Sequence, residues 1–244
     1  MPTPPPTDDD RATRRPLSRA RILGAAVALA DEHGIDAVSM RRLGQELGVD
    51  PMSLYKHVAN KDDLLDGMID TVVAEIEPAP NVGVDGGDGA GHGDGGWKAV
   101  VRGRIMAARA TMLRHPWASR VLETREAASP AVMQHYEAVA RALRDGGFTV
   151  DLLHHALHAL GSRMLGFTQE LFDDAAALAE GPAVLALNAH RMAGEFPTLA
   201  AMMLEISHDE ATVVGSGCDD QFEFAFALDL LLDGLERARA AKLR

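Results

Sequence analysis

Cysteine is almost absent from this chain: Cys218 stands alone among 244 residues. One thiol excludes an internal disulfide framework and fits a reducing compartment. Long apolar runs are missing too. The longest, from Ile22 to Ala30, falls well short of the ~20 residues that span a bilayer. The opening MPTPPPTDDDRATRRP is proline-rich and charged, with no apolar core of a secretory signal, so a cytoplasmic location is expected. No segment alternates apolar and polar residues and then turns as a hairpin does, which points to an all-α fold. There is no G-x-S-x-G, no Ser-His-Asp order and no phosphate-cradling glycine loop, so neither catalysis nor a cofactor is expected.

Basic residues are also in deficit. The formal net charge is −12, which taken whole argues against a nucleic-acid partner. Its distribution reverses that inference. Residues 11–61 hold nine Lys and Arg against five acids, a net +4, whereas residues 62–244 carry −13. Phosphate binding responds to local potential, because charges beyond a Debye length of ~8–10 Å are screened.

What the chain does have is a dense set of helix start and stop signals inside the positive segment. Ser18 can cap a first helix running to His33, with a Leu17/Ile22 staple and a stop at Gly34. Ser39 caps a second helix over about 40–47, and Gly48 supplies the positive φ for a sharp turn. Asp50-Pro51 starts a third, about 51–57, with Asp as cap and Pro at the first helical position. That helix is barely two turns long and cannot be stable alone. It carries Ser53, Tyr55, Lys56 and His57 around a Leu54/Val58 edge, the logic of a helix-turn-helix presenting a recognition helix to a DNA groove. A fourth helix begins after Asn60, with Asp63 in the capping-box position. Ser53 and Tyr55 are hydrogen-bonders suited to phosphate, and Lys56 and Arg41 supply charge. Arg14 and Arg15, in a basic arm, can reach a phosphate or the minor groove. Tyr55 also admits a reading as a core tyrosine, His57 as a helix-end residue satisfied by backbone, and Lys61 as an ordinary solvated lysine.

Four regions follow: an arm over 1–16, a DNA-binding domain over 17–78, a Gly-rich loop over 79–96 and a helical domain over 97–244. The helical domain holds predicted helices at about 97–114, 118–126, 130–145, 149–172, 182–193, 197–206 and 219–241. In the 149–172 helix Leu153, Leu157, Leu160, Met164, Phe167 and Leu171 form a continuous apolar seam. The last helix is apolar almost all round between Phe222 and Leu232. Together they suggest four-helix packing between two subunits, with Leu153, Leu157, Leu160, Phe222, Phe226 and Leu230 as candidate dimerisation residues. Met112, Trp117, Met133, His158, Met164 and Phe167 are candidates to line an adaptable apolar pocket, with core packing as the alternative. Arg163 lies inside the seam helix and requires a partner.

Residues 18–70 resemble the tetracycline repressor (TetR) family of transcriptional regulators. The likeness rests on A-x-x-L-x-x-x-x-G at 26–34, the L-G pair with its following apolar residue over 43–47, and SLYKHVANKDDL at 53–64. FEFAFALDLLLDGLERA at 222–238 is similar to the family's final dimerisation helix. The resemblance implies a homodimer whose recognition helices enter successive major grooves of a palindromic operator, and a small-molecule effector that releases it. It further implies DNA contacts from Arg41, Pro51, Met52, Ser53, Tyr55, His57 and Lys61. Lys56 departs from the family's aromatic, leaving base or phosphate contact open, and Met40 replaces a small hydroxyl residue.

Two other classes compete. His154 and His158 lie i, i+4 on one helical face, next to His155, which allows a metal-dependent enzyme, but no Glu or Cys completes a ligand set and no metal is expected. A helical protein-interaction module is the third class, and the basic 11–61 segment argues against it.

Overall fold

The computed structural model describes residues 16–76, 96–125, 127–167, 182–206 and 220–241. Those residues are helical, with no strand among them, so the fold is all-α. None of the described helices is long and apolar enough to cross a membrane. The Gly-rich loop up to residue 95, Arg14, Arg15, Leu171 and Cys218 lie outside the described residues, and the loop's last residue, Gly96, begins a helix. The chain forms two compact units, residues 1–82 with 107–139, and residues 83–106 with 140–244.

The first unit opens with α1 (Arg19–His33). Ser18 Oγ accepts from the Arg21 N–H, and Gly34, at φ 79°, ends the helix. Ile22, Leu23, Ala26, Val27, Leu29 and Ala30 form its buried face. A 3-10 turn over Ile35–Ala37 follows, which the sequence reading did not contain. α2 (Met40–Leu47) is capped by Ser39 and closed by Gly48 in the left-handed region, φ 66°. α3 (Pro51–Leu54) is one turn, shorter than expected, with residues 55–57 continuing as turn. α4 (Lys61–Ala74) is capped by Asn60, whose Oδ1 accepts from the Asp63 N–H at 2.8 Å. α1 and α4 approach closely at Gly67, where a Cβ would stand 2.7 Å from Leu23 Cδ2.

α5 (Gly96–Arg114), α6 (Trp117–Glu123) and α7 (Pro130–Asp145) follow. α5 and α7 contribute to both units, so the first unit is larger than the expected 17–78 domain. Its extra part, residues 107–139, is held to the helix-turn-helix by charge. Arg125 bridges Asp62 and Asp66 of α4, and Asp70 accepts from the Ala131 N–H. His115 lies between Asp31 (Nδ1 to Oδ1, 2.8 Å) and Glu75 (Nε2 to Oε2, 3.2 Å). Trp117 Nε1 donates to the same Asp31 oxygen at 2.7 Å.

In the second unit α8 (Val150–Leu160) starts at the Thr149 cap and stops at Gly161, φ 42°. A 3-10 turn over Gly161–Leu165 follows. The continuous helix expected to about Phe172 is therefore interrupted, because Gly161 adopts a backbone angle that ends it. The buried stripe of α8 is Leu152, Ala156 and Leu160, with Leu153 and Leu157 half-buried beside it. α9 (Pro182–Met192) and α10 (Pro197–Ile206) pack on each other. α11 (Asp220–Ala240) buries Phe224, Leu228, Leu232 and Leu235 and leaves Phe222, Phe226 and Leu230 exposed. Its acidic stripe is used: Lys98 pairs with Asp233 and Glu236, and Arg102 with Asp229. Arg163 sits over the Phe224 ring, 5.8 Å from its centroid, a cation–π partner.

Candidate nucleic-acid interface

The recognition helix is too short to hold itself, so its surroundings hold it. Leu54 and Val58 are buried beneath it. Asp50 fixes its start, Oδ1 accepting from the Met52 N–H at 2.7 Å while its carbonyl accepts from the Ser53 N–H at 2.9 Å. Pro51 packs against α2 at Gly44, where a Cβ would come within 2.9 Å of Pro51 Cγ. Arg19 of α1 secures the far end. Its guanidinium donates to the His57 carbonyl at 3.1 Å and to both Asp63 carboxylate oxygens, at 2.6 and 2.9 Å. Asp63 Oδ2 also accepts from the Ala59 N–H at 2.7 Å. The Arg19 hydrogen bonds, then the Ala59 N–H, hold the Asp63 carboxyl below the usual carboxylate range.

Above this support the side chains face outward. Met52 is 70% exposed and Tyr55 46% exposed, so Tyr55 is not a core tyrosine. Arg41, Lys56 and Lys61 are exposed, while Met40, Pro51, Ser53 and His57 are half-buried. The His57 backbone is satisfied at both ends, its N–H by Leu54 and its carbonyl by Arg19. Among the described residues no ion pair engages Arg41, Arg42, Lys56 or Lys61, although Arg19, Lys98, Arg102, Arg114, Arg120 and Arg125 are each paired with carboxylates. Cations left without carboxylates on one short exposed segment attract phosphate.

Three comparisons agree on the ancestry of this arrangement. The profile for bacterial regulatory proteins of the tetR family matches residues 22–68, and that for the tetracyclin repressor-like C-terminal domain matches residues 90–239. The chain belongs to the TetR family. It is 31% identical over 234 residues to the HTH-type transcriptional repressor DrrR1 of Streptomyces coeruleorubidus, covering 93% of this chain and 80% of that one. It is 28% identical to the tetracycline repressor protein class D of Escherichia coli, covering 93% of both. Apo ActR from Streptomyces coelicolor superposes with a TM-score of 0.67 at 27% identity, covering 93% of this chain and 99% of that one. ActR in complex with actinorhodin gives 0.64 at 28% identity, covering 90% and 95%. TetR-family proteins are transcriptional regulators and not enzymes, so the metal-dependent alternative at His154 and His158 falls away. Those rings pack on each other, centroids 4.5 Å apart, and no metal-holding group occurs among the described residues.

The candidate pocket residues are divided between the two units. Met133 and His158 are exposed, and Trp117 is tied to Asp31. Met112 is buried in the first unit, whereas Met164 (buried) and Phe167 (half-buried) belong to the second. Of the candidate dimerisation residues, Phe222, Phe226 and Leu230 are exposed, with the two phenyl rings stacked at 6.2 Å, whereas Leu160 is buried within its own unit. Arg19 and its partner role were missed by sequence reasoning, because Asp63 lies 44 positions away and no local pattern joins them.

Proposed function

We propose that this chain is a cytoplasmic, ligand-responsive transcriptional repressor that binds a palindromic operator as a homodimer. One observation carries the DNA-binding part. A one-turn helix, held by Asp50, Leu54 and Arg19, presents Met52, Tyr55 and Lys56 outward among cations that no carboxylate pairs with among the described residues. Arg41, Ser53, Tyr55, Lys56 and Lys61 bond to bases or phosphates, and Met40, Pro51, Met52 and His57 shape the groove contact. Arg14 and Arg15 supply further phosphate or minor-groove contacts. The exposed Phe222, Phe226 and Leu230 stripe, together with half-buried Leu153 and Leu157, serves the subunit interface. The effector is a small molecule held in the helical C-terminal region, a reading supported by the ActR complex with actinorhodin.

Selection of bound duplexes from random DNA tests the reading directly. A palindromic site is expected, with its half-sites about one helical turn apart and affinity falling steeply as salt rises. Recovery of no common sequence, or binding indifferent to salt, would refute it.

A further inference from the structure

The hydrogen bonds at the tip of the recognition helix are accounted for within the chain. A helix start ordinarily offers free N–H groups to a phosphate or a base acceptor. Here none of the first three positions does. Pro51 has no N–H, the Met52 N–H is taken by Asp50 Oδ1 at 2.7 Å, and the Ser53 N–H by the Asp50 carbonyl at 2.9 Å. Asp50 spends one carboxylate oxygen, Oδ1, on that cap. Pro51 is packed against Gly44, so it stiffens the tip without projecting. What projects is Met52, the most exposed large apolar side chain among the described residues, at 70%.

We infer that Met52 is a specificity-determining residue that reads the 5-methyl group of a thymine in each operator half-site. The inference rests on the DNA-binding reading above. In the major groove the thymine methyl is the apolar feature that tells one base pair from another. An unbranched thioether with three rotatable bonds can cover it without a polar group on either side losing a partner. Polar discrimination then falls to Arg41, Ser53, Tyr55 and Lys56, while the tip selects for a methyl. Because a methyl is the feature read, 5-methylcytosine substitutes for thymine there and unmethylated cytosine does not.

The test uses the full-length protein and a selected operator duplex, with each thymine replaced in turn by deoxyuridine. At one symmetric position the wild-type affinity falls about fourfold per half-site, the factor that corresponds to burying one methyl group. A C·G pair placed there regains affinity when its cytosine is 5-methylated. Met52→Ala binds the thymine and deoxyuridine duplexes equally, with an unchanged Tm because the side chain is mostly exposed, and Met52→Leu restores the discrimination. If the wild type binds its operator but no deoxyuridine substitution is felt, or if Met52→Ala feels it as strongly, the inference is overturned while DNA binding stands. If no duplex is bound specifically, the DNA-binding reading fails and takes the inference with it.

Discussion

Replacing Arg19 by Met should damage operator binding more than it damages the fold. The methionine keeps much of the stem and removes the guanidinium, and with it two bonds to the Asp63 carboxylate and those to the His57 and Asp63 carbonyls. A charge-assisted hydrogen bond contributes about 1.5–3 kcal/mol when well sheltered and an exposed ion pair about 0.2–1 kcal/mol. The Arg19 and Asp63 side chains are 42% and 32% exposed, so the sum belongs near the lower end, about 1–2 kcal/mol. For a chain of this size that lowers Tm by about 2–8 °C. The effect on DNA is larger because the lost tether secures the far end of a four-residue helix that cannot hold itself, and a fall in operator affinity of about tenfold or more is expected. The pH dependence has a definite sign. The carboxyl of Asp63 is depressed in the folded chain, so its contribution is fully present above the unfolded value of about 3.9 and is lost as pH falls through the folded value. The Tm gap between wild type and Arg19→Met should thus narrow only below about pH 4. Thermal unfolding from pH 3 to 7, with operator titration at pH 7, measures both effects. A variant that matches wild type in Tm and affinity would refute the tether, and a gap that widens on acidification would refute the assignment to Asp63.

The remaining predictions concern the same module. Lys56→Ala should leave Tm unchanged, and if Lys56 contacts phosphate the slope of log affinity against log salt drops by roughly 1.8 for a dimer, about 0.9 for each lost contact. An unchanged slope with altered base preference would make it a base reader instead. Leu54→Ala removes a fully buried side chain and should cost about 2–5 kcal/mol in chemical denaturation, with loss of DNA binding. Gly67→Ala places a Cβ 2.7 Å from Leu23 Cδ2, so overpacking between α1 and α4 should cost about 1–3 kcal/mol. Wild-type Tm for that variant would mean the two helices yield there freely.

The helix-turn-helix was legible because its instructions are local. Ser18, Ser39, Asp50 and Asn60 each cap within three residues, and Gly34 and Gly48 occupy the positive φ that their turns demand. The C-terminal helices were legible as elements, though not in every extent. A seam counted by apolar spacing ran straight through Gly161, whose backbone angle the spacing does not record. The support of the site was not legible, since Arg19–Asp63 and His115–Asp31 join positions 44 and 84 apart. Nor does apolarity carry direction. Trp117 and Met133 read alike as pocket residues, yet one indole donates to Asp31 and the other side chain faces solvent.

Charge had to be located before it could be interpreted. Part of the acid in this chain is engaged internally: Asp229 on Arg102, Asp233 and Glu236 on Lys98, Asp62 and Asp66 on Arg125. An acid paired with a cation a few ångströms away contributes little to the field farther off. Arg41, Arg42, Lys56 and Lys61 have no such partner among the described residues, so their field survives at the surface where α3 faces outward. An acidic chain thus keeps a basic reading head. With residues 62–244 at −13, the recognition segment is where a phosphate backbone is drawn in.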